Sequence, residues 1–229
     1  MAGDKALNIV EYADRDMLAL NVAHVLAEEL ETHLLHHETA SFAVPGGTTP
    51  GPIFDVLCGS HLDWDRVRVF PTDERWVPQE HERSNGRLIC DRLLRARAAS
   101  ATFLPLYAPV DMPDDVLGDI ETMLTPELPI SVLMLGMGAD MHTASLFPGA
   151  EGLAEALAPD APVLTALRPD SMPERRVSLT ARVLDGALAK HLVIYGAEKR
   201  AALERAMTLP PEEAPINAVL GGTTVHWAD

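Results

Sequence analysis

The chain has 229 residues, 47% of them hydrophobic, and 18 basic against 34 acidic residues give it a formal charge of −16. That balance argues against a nucleic-acid partner, whose binding rests on many Lys and Arg contacts to phosphates. The length suits one sizeable core, and a single α/β domain over residues 1–229 is expected.

The opening Met1-Ala2-Gly3-Asp4-Lys5 has neither the basic nor the apolar region of a signal peptide, which points to the cytoplasm. Asp14 can cap a helix whose apolar positions Leu18, Val22, Val25, Leu26, Leu30 and Leu34 follow helical spacing. His33 and His37 near its end are four apart with His36 beside them, but no third ligand of clear identity joins them, so no metal is expected. A short strand over residues 41–44 then runs into Pro45-Gly46-Gly47-Thr48-Thr49-Pro50 and a helix around residues 53–57. Glycines let a backbone approach an anion closely, and a helix start offers unpaired N–H groups. Gly46, Gly47, Thr48 and Thr49 are therefore candidate anion ligands. A tight turn with threonine caps has the same appearance, and no Gly-Lys-Ser/Thr follows to make a P-loop.

A strand over residues 67–70 leads into Pro71-Thr72-Asp73-Glu74-Arg75-Trp76-Val77-Pro78. A guanidinium at a strand end can clamp a phosphate at two points, which singles out Arg75, with Asp73 beside it. An exposed charged loop with an internal salt bridge is the plainer reading of the same run. Ser84-Asn85-Gly86 reads as the cap of a helix over residues 85–94. Residues 105–129, rich in Pro and Asp, hold at most a loosely packed helix. The two cysteines, Cys58 and Cys90, lie in no metal-like spacing and are read as reduced and buried.

The apolar run over residues 130–135 reads as a central strand; extended to residue 139, it remains far short of the ~20 residues of a membrane span. Gly136-Met137-Gly138-Ala139-Asp140-Met141-His142 follows. Gly136 and Gly138 bracket a sharp loop whose N–H groups can face an oxyanion. A histidine can take a proton from water and return it to a leaving oxygen, and a nearby carboxylate can orient its ring. His142 and Asp140 are thus a candidate acid–base pair. The third glycine of a dinucleotide fingerprint is missing.

Residues 150–162 look like a surface excursion. Residues 176–180 form a period-two strand with Arg176, Ser178 and Thr180 on one face, which taken alone resembles an edge strand with one wet face. After a strand over residues 191–195, Gly196-Ala197-Glu198-Lys199 opens a helix over residues 197–207. A cation in a first helical turn is disfavoured by the dipole unless an anion binds there. Strand, loop and helix alternating along the chain predict a parallel sheet covered on both faces, with these motifs at the carboxyl ends of its strands. In so acidic a chain a small anionic substrate needs local concentration of the scarce cations.

These residues together resemble the 6-phosphogluconolactonase family, hydrolases of the oxidative pentose phosphate route, within a superfamily that includes glucosamine-6-phosphate deaminase. The resemblance runs from the Gly46 loop to Gly221-Gly222-Thr223-Thr224-Val225-His226-Trp227. It is carried most specifically by Asp73-Glu74-Arg75 and His142-Thr143-Ala144-Ser145-Leu146-Phe147-Pro148. It implies a Rossmann-like three-layer αβα sandwich with a mostly parallel central sheet, and no metal or organic cofactor. It further implies His142 as general base supported by Asp140, with Gly46, Gly47, Thr48, Arg75, Arg176 and Lys199 holding the phosphate or neighbouring hydroxyls. The expected partner is a small sugar-phosphate lactone, not nucleic acid or membrane, and the chain is expected as a monomer or homodimer. Two positions depart from the family pattern: Met141 stands where glycine is usual, and Pro45 where serine is usual. A methionine at positive φ would carry a steric cost. The rival readings are an amino-sugar phosphate deaminase/isomerase and a sugar-phosphate-binding protein without catalysis.

Overall fold

The computed structural model describes residues 7–169 and 173–229, so the opening stretch of residues 1–5 lies outside it. In chain order its elements are β1 (Asn8–Glu11), α1 (Arg15–Leu34), β2 (Ala40–Val44), α2 (Gly51–Leu57), β3 (Val67–Pro71), β4 (Asp73–Arg75), α3 (Asn85–Arg92), β5 (Thr102–Phe103) and α4 (Leu117–Leu124). They continue with β6 (Val132–Gly136), α5 (Leu153–Leu157), β7 (Leu164–Leu167), β8 (Arg176–Leu179), α6 (Ala181–Asp185), β9 (Ala189–Tyr195), α7 (Gly196–Ala206) and β10 (Thr224–Ala228). No helix among the described residues is long and apolar enough to cross a membrane.

Seven strands form one sheet in the order β1-β10-β9-β6-β2-β3-β5, and every neighbouring pair is parallel. Its central strands β2 and β6 are apolar on both sides, as a sheet covered by helices requires. Ala43, Leu133, Leu135, Leu192 and Ile194 join one core with Ile120, Leu153, Val177 and Leu203. The alternate residues Phe42, Val44, Val132, Met134 and Val193 join a second core against α1 and α2. The Asp14 carboxylate accepts from Met17 N at 2.7 Å, the expected N-cap of α1.

The strand order reverses direction between β2 and β6. From β2 the chain moves outward through β3 to β5, whereas from β6 it moves the other way through β9 to β10. The loops after β2 and β6 therefore part company above adjacent strands, leaving a crevice where open α/β sheets hold ligands.

A second, antiparallel sheet of order β4-β8-β7 corrects two expectations. The 176–180 strand is not at the carboxyl end of a parallel strand, nor is it an edge with a wet face. It is the middle strand of this small sheet, and all four residues of β8 are buried. The Asp73-Glu74-Arg75 run is not an exposed loop either. It is β4, registered Asp73 to Ser178 and Arg75 to Arg176, with Asp73 and Glu74 buried. Residues 150–162 are more than a surface excursion, because α5 buries Leu153 and Ala156 there. Cys58 is buried, Cys90 only partly, and both are free thiols.

A polar chain crosses the α1 side of the sheet. Tyr12 Oη lies 2.8 Å from His226 Nδ1, His226 Nε2 lies 3.0 Å from His191 Nδ1, and His191 Nε2 lies 2.6 Å from Glu29 Oε2. Burial, reinforced by His191, lowers the His226 pKa to about 4. A histidine whose folded pKa lies below its unfolded value of ~6.5 binds its proton more readily on unfolding. Its contribution to stability is complete above that unfolded value and is lost as pH falls towards 4. We expect a loss of about 2 kcal/mol from this group by pH 5. Thermal melts followed by circular dichroism should fall less steeply between pH 7 and pH 5 in His226→Gln than in the parent chain; equal slopes would exclude His226 as the source.

Candidate active site

A pocket of about 280 Å³ opens above the carboxyl ends of β2 and β6. Of the residues singled out from sequence, Gly46, Gly47, Thr48, Thr49, Asp73, Arg75, Gly138, His142, Arg176 and Lys199 all line it. Asp140 does not; it stands half-exposed behind His142.

His142 sits in a loop with two left-handed non-glycine residues, Met141 at φ 68° and Ala144 at φ 48°. Each carries a steric cost of roughly 1–2 kcal/mol, so neighbouring bonds must hold the loop in place. Ile216 N donates to Met141 O at 3.1 Å, Thr143 Oγ1 donates to Gly136 O at 2.9 Å, and Ser145 N donates to Ser178 Oγ at 3.2 Å. Met141 thus does occupy the conformation that glycine adopts freely, and its side chain packs against the first core.

The His142 ring is tethered at Nδ1, 2.5 Å from Asp140 Oδ1. Burial pushes the Asp140 carboxyl up, but the hydrogen bond and charge of His142 outweigh it and leave the group below its ordinary range. Ionised Asp140 favours a proton on the facing Nδ1, which leaves Nε2 as the nitrogen free to accept one. Gly138 makes the pair possible sterically: an added Cβ would lie 2.3 Å from both Asp140 Oδ1 and His142 Nδ1. Its N–H, expected to face an oxyanion, instead donates to His142 O at 3.0 Å. The tight loop consumes that donor to close on itself.

Across the pocket, Asp73 organises the cations. Its Oδ2 accepts from Ser145 Oγ at 2.5 Å, and Arg176 Nη1 lies 3.9 Å away. Arg176 is 3% exposed, yet its Nε has no partner, and the buried Arg75 Nε has none either. Buried guanidinium N–H groups without acceptors are costly and mark where an anionic acceptor fits. Burial lowers the Arg176 pKa against the pull of Asp73, and burial likewise lowers Lys199 against Glu198 and Asp140. Glu74, in the same charged run, serves the scaffold. Its carboxylate accepts from Asn85 N and Gly86 N, both at 2.7 Å, and so caps α3. Burial raises its pKa against these bonds.

The pocket residues that were not singled out as site residues from sequence include Asn85, Met137, Ala144 and Phe147. Ser84 does cap α3, accepting from Arg87 N at 3.1 Å, as read. Asn85 turns its side chain the other way, donating to Asp73 O at 2.7 Å and lying where a Cβ on Gly46 would stand, 1.8 Å from Oδ1. No spacing signal separates such an asparagine from an ordinary cap. Trp76, the tryptophan beside a site motif, does not line the pocket; it packs on Tyr107 and donates to Val110 O.

Residues 13–227 match the family model of glucosamine-6-phosphate isomerases/6-phosphogluconolactonase. The chain belongs to this family. Among its family relatives, a 6-phosphogluconolactonase of Mesorhizobium japonicum is 38% identical over 225 residues, covering 95% of this chain and 93% of its own. The crystal structure of a 6-phosphogluconolactonase from Shewanella baltica superposes with a TM-score of 0.94 at 28% identity, over 98% of this chain and 99% of that one. A putative 6-phosphogluconolactonase from Neisseria gonorrhoeae gives 0.89 at 32% identity, over 97% and 100%. The fold of the family is the three-layer arrangement described above, with its mostly parallel sheet.

Proposed function

We propose that this chain hydrolyses 6-phospho-D-glucono-1,5-lactone to 6-phosphogluconate in the cytoplasm, as a step of the oxidative pentose phosphate pathway. The single observation that carries the reading is one pocket lined by His142, which is tethered to Asp140, and by Arg75 and Arg176, whose buried Nε groups have no partner. The names of the relatives favour the lactonase over other members of the family.

In this reading Arg176, Arg75 and Lys199 hold the phosphate, with Thr48 and Thr49 available to it or to sugar hydroxyls. His142 Nε2 takes a proton from water as the water oxygen bonds to the lactone carbonyl carbon. The tetrahedral intermediate then breaks its bond to the ring oxygen, and His142 returns the proton to that oxygen. Asp140 keeps the ring oriented and offsets the charge of the imidazolium between the two steps. The product carboxylic acid ionises and releases one proton to solvent.

Proton release from freshly prepared 6-phosphogluconolactone tests this, with the spontaneous hydrolysis subtracted. Glucosamine 6-phosphate is assayed for ammonia in parallel. Enzyme-dependent acid release without ammonia is expected; ammonia release alone would replace the lactonase by the deaminase reading. Binding of 6-phosphogluconate with neither product would leave a sugar-phosphate-binding protein.

A further inference from the structure

The hydrogen bond from Asp140 fixes one edge of the His142 ring but not its plane. Within the angular tolerance of that one hydrogen bond the ring can still rock about its Cβ–Cγ bond and carry Nε2 out of line with a substrate. The face of that ring is occupied by Phe147, stacked at 4.1 Å between centroids and 28° between planes. Phe147 is 6% exposed, yet it belongs to neither apolar core of the protein. A large buried aromatic thus lines the pocket, set against the His142 ring and beside the Arg176 guanidinium.

The loop geometry commits it there. Ala144 at φ 48° turns the chain between His142 and Phe147, and Leu146 N closes the turn on Thr143 O at 2.9 Å. Ser145 is pinned from the other side by Asp73 and Ser178. The His142 ring is therefore held along one edge by a carboxylate and on one face by a phenyl ring. The hydrogen bond restrains the ring at one atom and the stacking restrains it over its whole face, so the second tightens what the first leaves loose. The Arg176 guanidinium carbon also lies 5.7 Å from the Phe147 centroid, but Arg176 has its own anchors in β8 and Asp73.

We propose that Phe147 is a positioning residue that sets the plane of the His142 imidazole and so the direction of Nε2. The proposal rests on the lactonase reading for its kinetic consequence, though not for its geometry. Misplacement of a catalytic group by about 1 Å costs as much as ~10²-fold in rate. Phe147→Leu, which keeps an apolar side chain without a flat face, should lower kcat by roughly 10- to 10²-fold while KM moves less than about threefold. Phe147→Tyr, which keeps the ring, should recover most of that loss. In proton NMR, the His142 Hε1 or Hδ2 resonance should be shifted upfield in the parent chain and in Phe147→Tyr, and lose that shift in Phe147→Leu.

Four results would overturn it: unchanged kcat in Phe147→Leu, a rise in KM alone, equal losses in Leu and Tyr variants, or an upfield shift that survives the loss of the ring. If the parent chain showed no lactone hydrolysis, the functional reading would fall by itself, and the NMR comparison would still decide the positioning role. Circular dichroism melts of both variants separate these effects from a failure to fold.

Discussion

Replacing His142 by alanine should leave the fold and the affinity for 6-phosphogluconate in place while slowing lactone hydrolysis by at least ~10²-fold. The expectation follows from where the side chain stands. His142 Nδ1 is committed to Asp140, Nε2 has no hydrogen-bond partner among the described residues, and the ring lines the pocket. The backbone bonds that hold the loop, from Gly138 N to His142 O and from Ile216 N to Met141 O, do not involve the imidazole. Removing the ring thus deletes the proposed base without removing the loop. The measurement is the initial rate of acid release corrected for the uncatalysed reaction, beside calorimetric binding of the product. Unchanged turnover would take His142 out of the mechanism. Asp140→Asn should act in the same direction but less severely, since it leaves the imidazole present while weakening its orientation.

The second large effect is expected on binding. Arg176→Ala should raise KM by about 10- to 10²-fold and change kcat by only a few-fold, the loss of one charge-assisted contact to the phosphate. The buried guanidinium meets Asp73 only at 3.9 Å and keeps an N–H without an acceptor. Most of its hydrogen-bonding capacity therefore remains for a ligand. Asp73 would not be stranded by the substitution, because Ser145 Oγ and Thr72 Oγ1 still donate to it. Arg176→Lys should recover little, since an ammonium supplies a charge but not the planar fork. Lys199→Ala should raise KM in the same direction. If neither alanine variant moves KM, the phosphate lies elsewhere in the pocket and the assignment of both cations fails.

The two departures from the family pattern sort differently. Pro45 lines the pocket and has no N–H to offer a ligand there. Met141 stands at φ 68°, the region expected to be costly, and the loop accommodates it through the hydrogen bond from Ile216 N and packing against the core. The side chain of Met141 itself stays outside the pocket lining.

Much of the architecture was legible because parallel strands buried on both faces are local apolar runs. The strands β2, β3, β6 and β9 and the helices α2, α3 and α7 were visible within a few residues of their ends. So were the short, polar or terminal elements not: β1, β4, β5, β7 and β10 carry too few apolar residues, or too mixed a pattern, to stand out from loops. The charged run at Asp73 was misjudged for a related reason. Local pattern marks charges as exposed, whereas pairing with β8 and the caps of α3 satisfy two carboxylates inside the protein.

What the sequence alone determined is the chemistry: a histidine and a carboxylate two residues apart in a glycine loop, and a few cations beside strand ends in an acidic chain. Such features are local, and side-chain type with short spacing expresses them fully. The tertiary structure alone decided which of them meet. The reversal of strand order between β2 and β6 opened the crevice, and the antiparallel β4–β8 pairing carried Arg176 to Arg75 across a hundred residues of chain. It also turned Gly138 from a donor into the space His142 needs, and set Phe147 against the imidazole. The strand pairings join segments far apart in the chain, and the loop contacts depend on backbone turns, neither of which residue spacing records.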